Sequence, residues 1–337
     1  MPVLSKIKSH ELPVGIRYAV RLIGFEEKDA LLGKLLDSKK LFQAKARLHY
    51  TSCQFVTNVE EFHRMWLDNF YSADEQVFSH SIIYAVNDGG GFEVLYENRS
   101  RTLIVRNCDY YGWVKSMALA LVGDVLEDYS PSSRRYSVHG SAIDYNGRGL
   151  AMMAPSGTGK TTLTYGLLLR DYASYISDDW FFVRAYPREL SAYSSEKNSY
   201  IREDLPKVWS EYGELEAMVK LDNKKRGIAD LARAIGFEKI RRATSLTTLV
   251  LLKRDKGDPR KEYALSAEEA FAYLKENDYC NPQHQLVRDG RKIRLRDAFF
   301  RLFTKRLDCF MLNTTETQRE SLARLEKIVG RECRPGK

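Results

Sequence analysis

The chain is short of cysteine, and the few it has are scattered. Five are spread over 337 residues, at positions 53, 108, 280, 309 and 333, with no Cys-x-x-Cys spacing among them. That pattern argues against a disulfide framework or a ligand-spaced zinc site, and it leads us to expect a reducing, cytoplasmic setting. Long apolar runs are missing too. The longest, such as "LTTLVLL" (246–252), fall far below the roughly 20 residues of a membrane-spanning helix. The amino-terminal "MPVLSKIKSHELPVGIRY" lacks an apolar stretch of signal-peptide length. Neither a leader nor a membrane partner is therefore expected. The histidines at 10, 49, 63, 80 and 284 form no ligand-spaced cluster, and there is no repeat or low-complexity tract. No zinc finger, RNP-type aromatic pair or GXXG clamp occurs, so nucleic acid is not an expected partner.

What is present is an ordinary globular composition, 44% hydrophobic and 29% charged, in a chain long enough for two domains. The net charge of +8 is concentrated in "KLDNKKRGIADLARAIGFEKIRRA" (220–243) and "RDGRKIRLRDAFFRLFTKR" (288–306). Such runs either attract phosphates and acidic substrates or form a solvated face, and the solvated face is the expectation here.

Residues 1–133 read as a small α+β domain with a mostly antiparallel sheet. "DALLGKLLDSKKLFQAKARL", within 28–50, carries apolar residues at helical spacing. A helix is expected over 58–70 with Asn58 as its cap, and an amphipathic helix over 110–129. Strands are expected at 53–59, 80–87, 92–98 and 101–107, the second and third joined by a turn at "DGGG" (88–91). The polar "SPSSRR" (130–135) marks the boundary, and 134–337 forms the second domain. There "YSVHGSAI" (136–143) reads as one strand, "YNGR" (145–148) as an Asn-Gly hairpin and "GLAMMA" (149–154) as a buried strand. A helix should run from about Thr161 to Arg170, before a strand, "ASYISDDWFFVR" (173–184), with two aspartates in its middle. "LVLLKRD" (249–255) reads as a late core strand, with Lys253 and Arg254 at its end expected to be solvated and a phosphate-facing cation as the alternative.

Between the buried strand and its helix lies Ala154-Pro155-Ser156-Gly157-Thr158-Gly159-Lys160-Thr161. It departs from the phosphate-binding pattern G-x-x-x-x-G-K-[ST] only at its first residue. Backbone N–H groups and the positive end of the following helix bind anions in such a loop. Gly157 and Gly159 let the N–H groups converge, Lys160 adds a cation for the β/γ-phosphates, and Thr161 offers a hydroxyl to Mg²⁺. Ser156, Gly157, Thr158, Gly159, Lys160, Thr161 and Thr162 are therefore candidate nucleotide-binding residues, with ATP and Mg²⁺ the expected cofactors. Ala154 is tolerable if its φ is negative. The structural alternative is a glycine-rich turn capping a helix.

The flanks set this loop apart from that of a motor or switch. An antiparallel partner precedes its strand, Asp178 and Asp179 follow Lys160 by only one helix and one strand, and His139 sits on the hairpin partner. Loop, carboxylates and imidazole can thus meet at one phosphate end. Phosphoryl transfer needs charge neutralisation, in-line positioning and a base for the incoming hydroxyl. Adjacent residues of a strand face opposite ways, so only one aspartate should point directly into the site unless a bulge intervenes. The bland readings are a strand-end turn for the aspartates and a buried, hydrogen-bonded histidine for His139.

"VHGSAIDYNGRGLAMMAPSGTGKTTLTYGLLLRDYASYISDDWFFV" resembles the catalytic core of the HPr kinase/phosphorylase family: a His-Gly strand, a short hairpin, the phosphate loop and a downstream Asp-Asp. It is also similar to phosphoenolpyruvate carboxykinase, whose core is related. The resemblance covers roughly residues 135–185, and more loosely to about 320. It implies a mixed-sheet P-loop core of the HPr kinase/phosphoenolpyruvate carboxykinase type, with a smaller N-terminal α+β domain. It further implies that His139, Lys160, Asp178 and Asp179 are catalytic and that Thr161, Asp178 and Asp179 surround the metal. One aspartate would serve the metal and the other the acceptor hydroxyl. Glu196, Lys197 and Arg202, in "SAYSSEKNSYIREDL" (191–205), are candidate phosphate or substrate contacts. A surface hairpin explains them equally, since neither the E-I-R-G signature of the kinases nor the E-G-G-C-Y-A-K of the carboxykinases is found.

The expected activity is transfer of the γ-phosphoryl group of ATP to a hydroxyl of a protein or peptide serine or of a small molecule. The alternatives are a non-catalytic nucleotide-binding module and a carboxykinase-like enzyme, for which 337 residues is short. Members of the kinase family often form oligomers, so a homo-oligomer is compatible with the resemblance.

Overall fold

A computed structural model describes residues 20–37, 39–214, 221–222, 225–280, 286 and 289–330; His10, His284, Cys333 and parts of both basic runs lie outside them. The chain divides into two compact units between Ser130 and Pro131, within the polar segment 130–135. Both units are mixed α/β, built on mixed sheets. No helix among the described residues is long and apolar enough to cross a membrane.

The first unit has a seven-stranded sheet ordered β1 (Val20–Leu22), β6 (Glu93–Glu97), β7 (Thr102–Arg106), β5 (Ser81–Val86), β3 (Thr51–Thr57), β2 (Phe42–Leu48) and β4 (Tyr71–Ser72). Three of its six pairings, β1–β6, β3–β5 and β5–β7, are parallel, which corrects the expected mostly antiparallel sheet. The cause is a β-α-β crossover: helix α2 (Glu60–Asn69) returns the chain from β3 to a parallel β5. Helix α1 (Phe25–Leu36) packs Leu31, Leu32 and Leu35 on the face bearing Tyr84, Val86 and Ile104. On the opposite face Phe55 stacks on Trp66 of α2, and Phe62 of α2 meets Tyr111 of helix α3 (Tyr111–Glu127).

Four local expectations for this unit change. The helix read across 28–50 ends at Leu36, and Phe42, Ala44, Ala46 and Leu48 form strand β2, because their alternation lets them pair with β3. Asn58 does not cap α2; its amide exchanges hydrogen bonds with the Asn87 backbone at 2.8 and 2.9 Å. The "DGGG" segment does not close a hairpin, since β7 lies between β5 and β6. Instead the Asn107 side chain gathers the loop by accepting from the Asp88 and Gly89 N–H groups. Helix α3 is buried along almost its whole length, rather than on one stripe.

The second unit carries a nine-stranded sheet. Its main path runs β11 (Ala173–Ser177), β9 (Ser141–Tyr145), β10 (Arg148–Met153), β16 (Ala243–Lys253), β13 (Leu190–Ser194), β12 (Trp180–Ala185) and β8 (Tyr136–His139). The long β16 also pairs with β18 (Asp308–Asn313), which pairs with β17 (Glu262–Leu265), so the sheet forks. β10, β16 and β18 are mutually parallel in sequence across the sheet. Leu150 and Met152 face a core that includes Leu163 of helix α4 (Lys160–Leu168) and Leu322 and Leu325 near the carboxyl end. Ala151 and Met153 face the other core, with Phe271, Phe299, Phe300 and Phe303. With that period of two, β10 presents apolar residues to both faces of the sheet.

Two strands read as continuous are each broken. "YSVHGSAI" splits at Gly140: β8 pairs with β12, whereas β9 pairs with β10 and β11. "ASYISDDWFFVR" splits at Asp178-Asp179, so the aspartates lie at a junction and not in mid-strand. In each case the chain changes neighbours, and no single straight strand could serve both sets. The Asn-Gly hairpin between β9 and β10 has positive φ at both Asn146 and Gly147, the backbone that a tight right-twisted hairpin requires.

Candidate functional site

The loop from Ala154 to Gly159 leaves the end of β10 and enters α4. Ala154 is buried and is not among the residues with positive φ, so its methyl group fits where the usual glycine stands. Gly157 and Gly159 have φ of 83° and 100°. A Cβ on Gly157 would project into open space, so the left-handed backbone, and not crowding, is what requires glycine there. Thr158 closes the loop on itself by donating to the Pro155 carbonyl at 2.8 Å, while its own carbonyl accepts from Thr314 Oγ1 at 2.7 Å. Ser156 and Gly157 are exposed, and Thr161 and Thr162 are half-buried.

Four of the residues singled out in the sequence come together beside this loop. Lys160 Nζ donates to the Asp178 backbone carbonyl and lies 3.8 Å from an Oδ1 of both Asp178 and Asp179. His139 Nε2 is 3.1 Å from Asp179 Oδ1, and its Nδ1 is 3.1 Å from the Cys280 carbonyl. The expectation of a single inward aspartate carried an exception for a bulge, and that exception applies here. The register of β11 slips between Tyr175 and Ser177, and strand pairing then stops, so the alternation that would separate the two carboxylates is suspended. The two differ in environment: the Asp178 side chain is 4% exposed and the Asp179 side chain 33%, so only Asp179 opens toward solvent.

Behind Asp178 lies a buried polar group that the motif did not announce. The Tyr175 hydroxyl accepts from the Asp178 N–H at 3.1 Å, and Ser199 Oγ is 3.5 Å from Asp178 Oδ2. Burial, reinforced by the neighbouring Asp178 and Glu196 carboxylates, pushes the Tyr165 and Tyr175 phenols well above their usual range. Of the three downstream candidates, Glu196 is therefore turned inward toward this group. Lys197 is exposed, and Arg202, on strand β14 (Ser199–Arg202), faces solvent in a 3.5 Å ion pair with Asp204. Among the described residues β14 pairs only with β15 (Arg226–Ala229), outside the large sheet.

The expectation that Arg254 is merely solvated also changes. Lys253 is taken up by Asp258 at 2.6 Å, but Arg254 leans toward the loop, with a guanidinium nitrogen 3.6 Å from where a Gly159 Cβ would be. Its Nε donates to the Thr314 carbonyl at 3.1 Å. Gly159, Thr162, Arg254, Thr314, Glu316 and Gln318 line a shallow depression of about 50 Å³, well below the roughly 300–1,000 Å³ typical of small-molecule sites. The available signal was topological: Met153, Leu251 and Met311 are level across three parallel strands, so the residues after each strand share the edge where ligands of α/β sheets bind. The basic run at 288–306 is likewise not all surface. Arg296 is buried and donates to the Ser137 carbonyl at 2.8 Å.

Among the described residues no group of three or more His, Cys, Asp and Glu side chains could hold a metal ion by itself. Mg²⁺ asks for less: it commonly takes one or two carboxylates and completes its shell with waters and substrate phosphates. The hard oxygens of Asp178, Asp179 and Thr161 suit that ion. Comparison with protein-family models and with curated proteins gives no match.

Proposed function

We propose that this protein is an ATP-dependent phosphotransferase, built on a core of the HPr kinase/phosphoenolpyruvate carboxykinase type, that moves the γ-phosphoryl group to a hydroxyl. The observation that carries the reading is the convergence of Lys160, Asp178, Asp179 and His139 beside an open glycine loop at a helix N-terminus. A loop alone would bind a nucleotide; a carboxylate pair and an imidazole within reach of its lysine supply what transfer needs.

In this reading the N–H groups of 156–161 and Lys160 hold the β/γ-phosphates, and Arg254, which approaches Gly159, adds a second cation beside them. Thr161 and Asp178 would hold Mg²⁺, which would neutralise phosphate charge. Asp179, the more exposed carboxylate, accepts the proton of the acceptor hydroxyl as the new O–P bond forms and the bond to the β-phosphate oxygen breaks. ADP leaves with the released charge. His139 keeps Asp179 aimed. The acceptor class is a protein or peptide serine or a small-molecule alcohol.

The test is to incubate the protein with Mg²⁺ and γ-labelled ATP, together with cell extract and a metabolite panel, and to identify the labelled acceptor by mass spectrometry. Lys160→Ala should abolish ATP binding. Asp179→Asn should retain binding and lose transfer by a factor of about 10²–10⁴, the usual contribution of a positioned acid or base. ATP binding without label on any acceptor would defeat the proposal. A regulatory nucleotide-binding module is the second reading, favoured by the outward-facing Lys197 and Arg202, which leave the acceptor side with fewer cations. It predicts that Asp178→Asn and Asp179→Asn leave the cellular phenotype intact.

A further inference from the structure

We propose that Thr314 is a positioning residue for the phosphate loop: its hydroxyl holds the Thr158 carbonyl and so aims the Gly159 N–H into the hollow of the loop. The effect on phosphate affinity rests on nucleotide binding at this loop; the orientation of the peptide does not.

Among the described residues, none of the N–H groups of Ser156, Gly157, Thr158 and Gly159 has a hydrogen-bond partner. Such groups bind an anion only if they point at it, and pointing is a property of peptide planes. Each plane is rigid and trans, so a carbonyl and the N–H that follows it point in opposite directions. Holding a carbonyl on one side of the loop therefore aims the next N–H at the other. The plane between Thr158 and Gly159 is the one in need of a hold. Gly159 sits at φ 100°, and glycine takes positive and negative φ about equally. The freedom that lets the loop turn there also leaves this plane free to turn over, which would put a carbonyl oxygen where a phosphate oxygen should lie.

Thr314 supplies the hold. It is buried, it is the first residue beyond β18, and its Oγ1 lies 2.7 Å from the Thr158 carbonyl oxygen. A hydroxyl has one proton to give. The competing acceptor, the Lys253 carbonyl, lies farther off at 3.2 Å and already takes the Thr314 backbone N–H at 2.8 Å. The proton therefore goes to Thr158. The Thr314 carbonyl accepts from Arg254 Nε at 3.1 Å, and the same Nε lies 3.4 Å from Oγ1. One residue thus seats both the loop and the cation that leans toward Gly159. The anchor is itself anchored. β18 pairs with β16 up to Asn313, whose side chain accepts from the Asp255 N–H at 2.9 Å and donates to the Asp255 and Asp258 carbonyls at 2.7 and 3.0 Å. The loop uses the same device internally: Thr158 Oγ1 holds the Pro155 carbonyl at 2.8 Å, which aims the Ser156 N–H. The second hydroxyl comes from 156 residues away, so no motif around the loop announces it.

The experiment uses a property of the sequence: Thr158-Gly159 is its only Thr-Gly pair. Labelling the full chain with ¹³C-carbonyl threonine and ¹⁵N-glycine makes this peptide the single source of a ¹³C′–¹⁵N coupled signal. Thr314→Val keeps the side-chain shape and loses the proton, so the Thr158 ¹³C′ resonance should move upfield, as it does when a carbonyl loses a hydrogen bond. Thr314→Ser, which keeps the hydroxyl, should leave it in place. The second measurement is calorimetric titration with Mg²⁺-ATP and with tripolyphosphate, which has no nucleoside. Thr314→Val should weaken both by the same factor of about 10- to 100-fold, the worth of one hydrogen bond to a charged group, and Thr314→Ser should restore both. A merely structural role would lower Tm and leave the affinities of the folded protein alone. An unmoved ¹³C′ resonance in Thr314→Val would overturn the anchoring, and unchanged affinity for both ligands would overturn its consequence. If the wild-type protein binds neither ligand, the nucleotide reading falls, while the ¹³C′ shift still decides the orientation. Should Thr314→Val fail to fold, Thr314→Ala removes the same proton and takes its place.

Discussion

Gly140 is where geometry makes the sharpest demand, and replacing it with alanine tests the route from sheet topology to site. An added Cβ would sit 2.6 Å from the Met152 carbonyl oxygen, 3.1 Å from Met153 Cγ and 3.2 Å from Phe181 Cε1. The methionine and phenylalanine side chains can give way by a few tenths of an ångström. The Met152 carbonyl cannot, because its strand is held between β9 and β16. Residue 140 must therefore move, and overpacking of this kind costs about 1–3 kcal/mol. For a unit of roughly 200 residues, that corresponds to a fall in Tm of about 2–12 °C. The same movement strains the 2.9 Å bond from the Gly140 N–H to the Asp179 carbonyl and tilts the neighbouring His139. Phosphoryl transfer should then fall by about 10²-fold, the usual penalty for a misplacement near 1 Å. Gly147→Ala is the control. Its φ of 80° also disfavours alanine, at about 1–2 kcal/mol, but its Cβ would meet nothing within 4 Å and it lies at the far end of the hairpin. Scanning calorimetry and turnover on both variants separate stability from positioning. A Gly140→Ala protein with unchanged Tm and turnover, or two variants with equal loss of turnover, would refute the reasoning.

Arg254→Ala should weaken ATP binding by about 10- to 100-fold, as expected for a lost charge-assisted hydrogen bond of roughly 1.5–3 kcal/mol, with kcat little altered; calorimetric titration reads this, and unchanged affinity removes Arg254 from the nucleotide site. In the first unit, burial raises the Asp88 carboxyl, but hydrogen bonds from Arg106 and Asn107 outweigh it and hold the group down to about 2. A carboxylate depressed on folding stabilises the fold above its unfolded pKa of about 3.9, and that contribution is lost as pH falls through the folded value. Arg106→Ala should therefore remove roughly 1 kcal/mol of stability at neutral pH, allowing for solvent around the pair, and flatten the acid limb between about pH 4 and pH 2. Urea unfolding across that range checks it, and an unaltered acid limb counts against the assignment.

What could be read in the sequence was what a few adjacent residues determine. Gly157, Gly159 and Lys160 stand in one short segment, and Asn146-Gly147 forms its own turn, so neither needs a distant partner to be recognised. The misread elements depend on remote neighbours. Residues 42–48 carry helix-forming Ala44, Lys45 and Ala46, yet pair with β3 as a strand. "YSVHGSAI" has an unbroken strand pattern, and only the position of β12, some forty residues onward, takes His139 to one neighbour and Ser141 to another. Arg254 shows the same limit: its charge was visible, but its approach to Gly159 follows from the register of β16 against β10. The buried Tyr175 and Glu196 read as a strand residue and a hairpin residue until the sheet closes around Asp178.

The two strand breaks are best understood as one feature. The chain crosses between the β8–β12 side of the sheet and the β9–β11 side twice, into β9 at Gly140 and back to β12 at Asp178-Asp179, and the bond from the Gly140 N–H to the Asp179 carbonyl ties the crossings together. A regular strand through 173–184 would have sent one carboxylate to each face of the sheet. At the crossing both instead flank the Lys160 ammonium, and His139, the last residue before its own break, meets the outer one. The consequence is electrostatic. Two carboxylates around one ammonium leave excess negative charge beside a loop whose backbone and helix end attract anions. A triphosphate held there needs a further cation all the more, because the aspartates already offset the Lys160 charge. In the proposed reading, the same arrangement that makes the site a poorer anion trap would supply the metal ligand and proton acceptor that phosphoryl transfer requires.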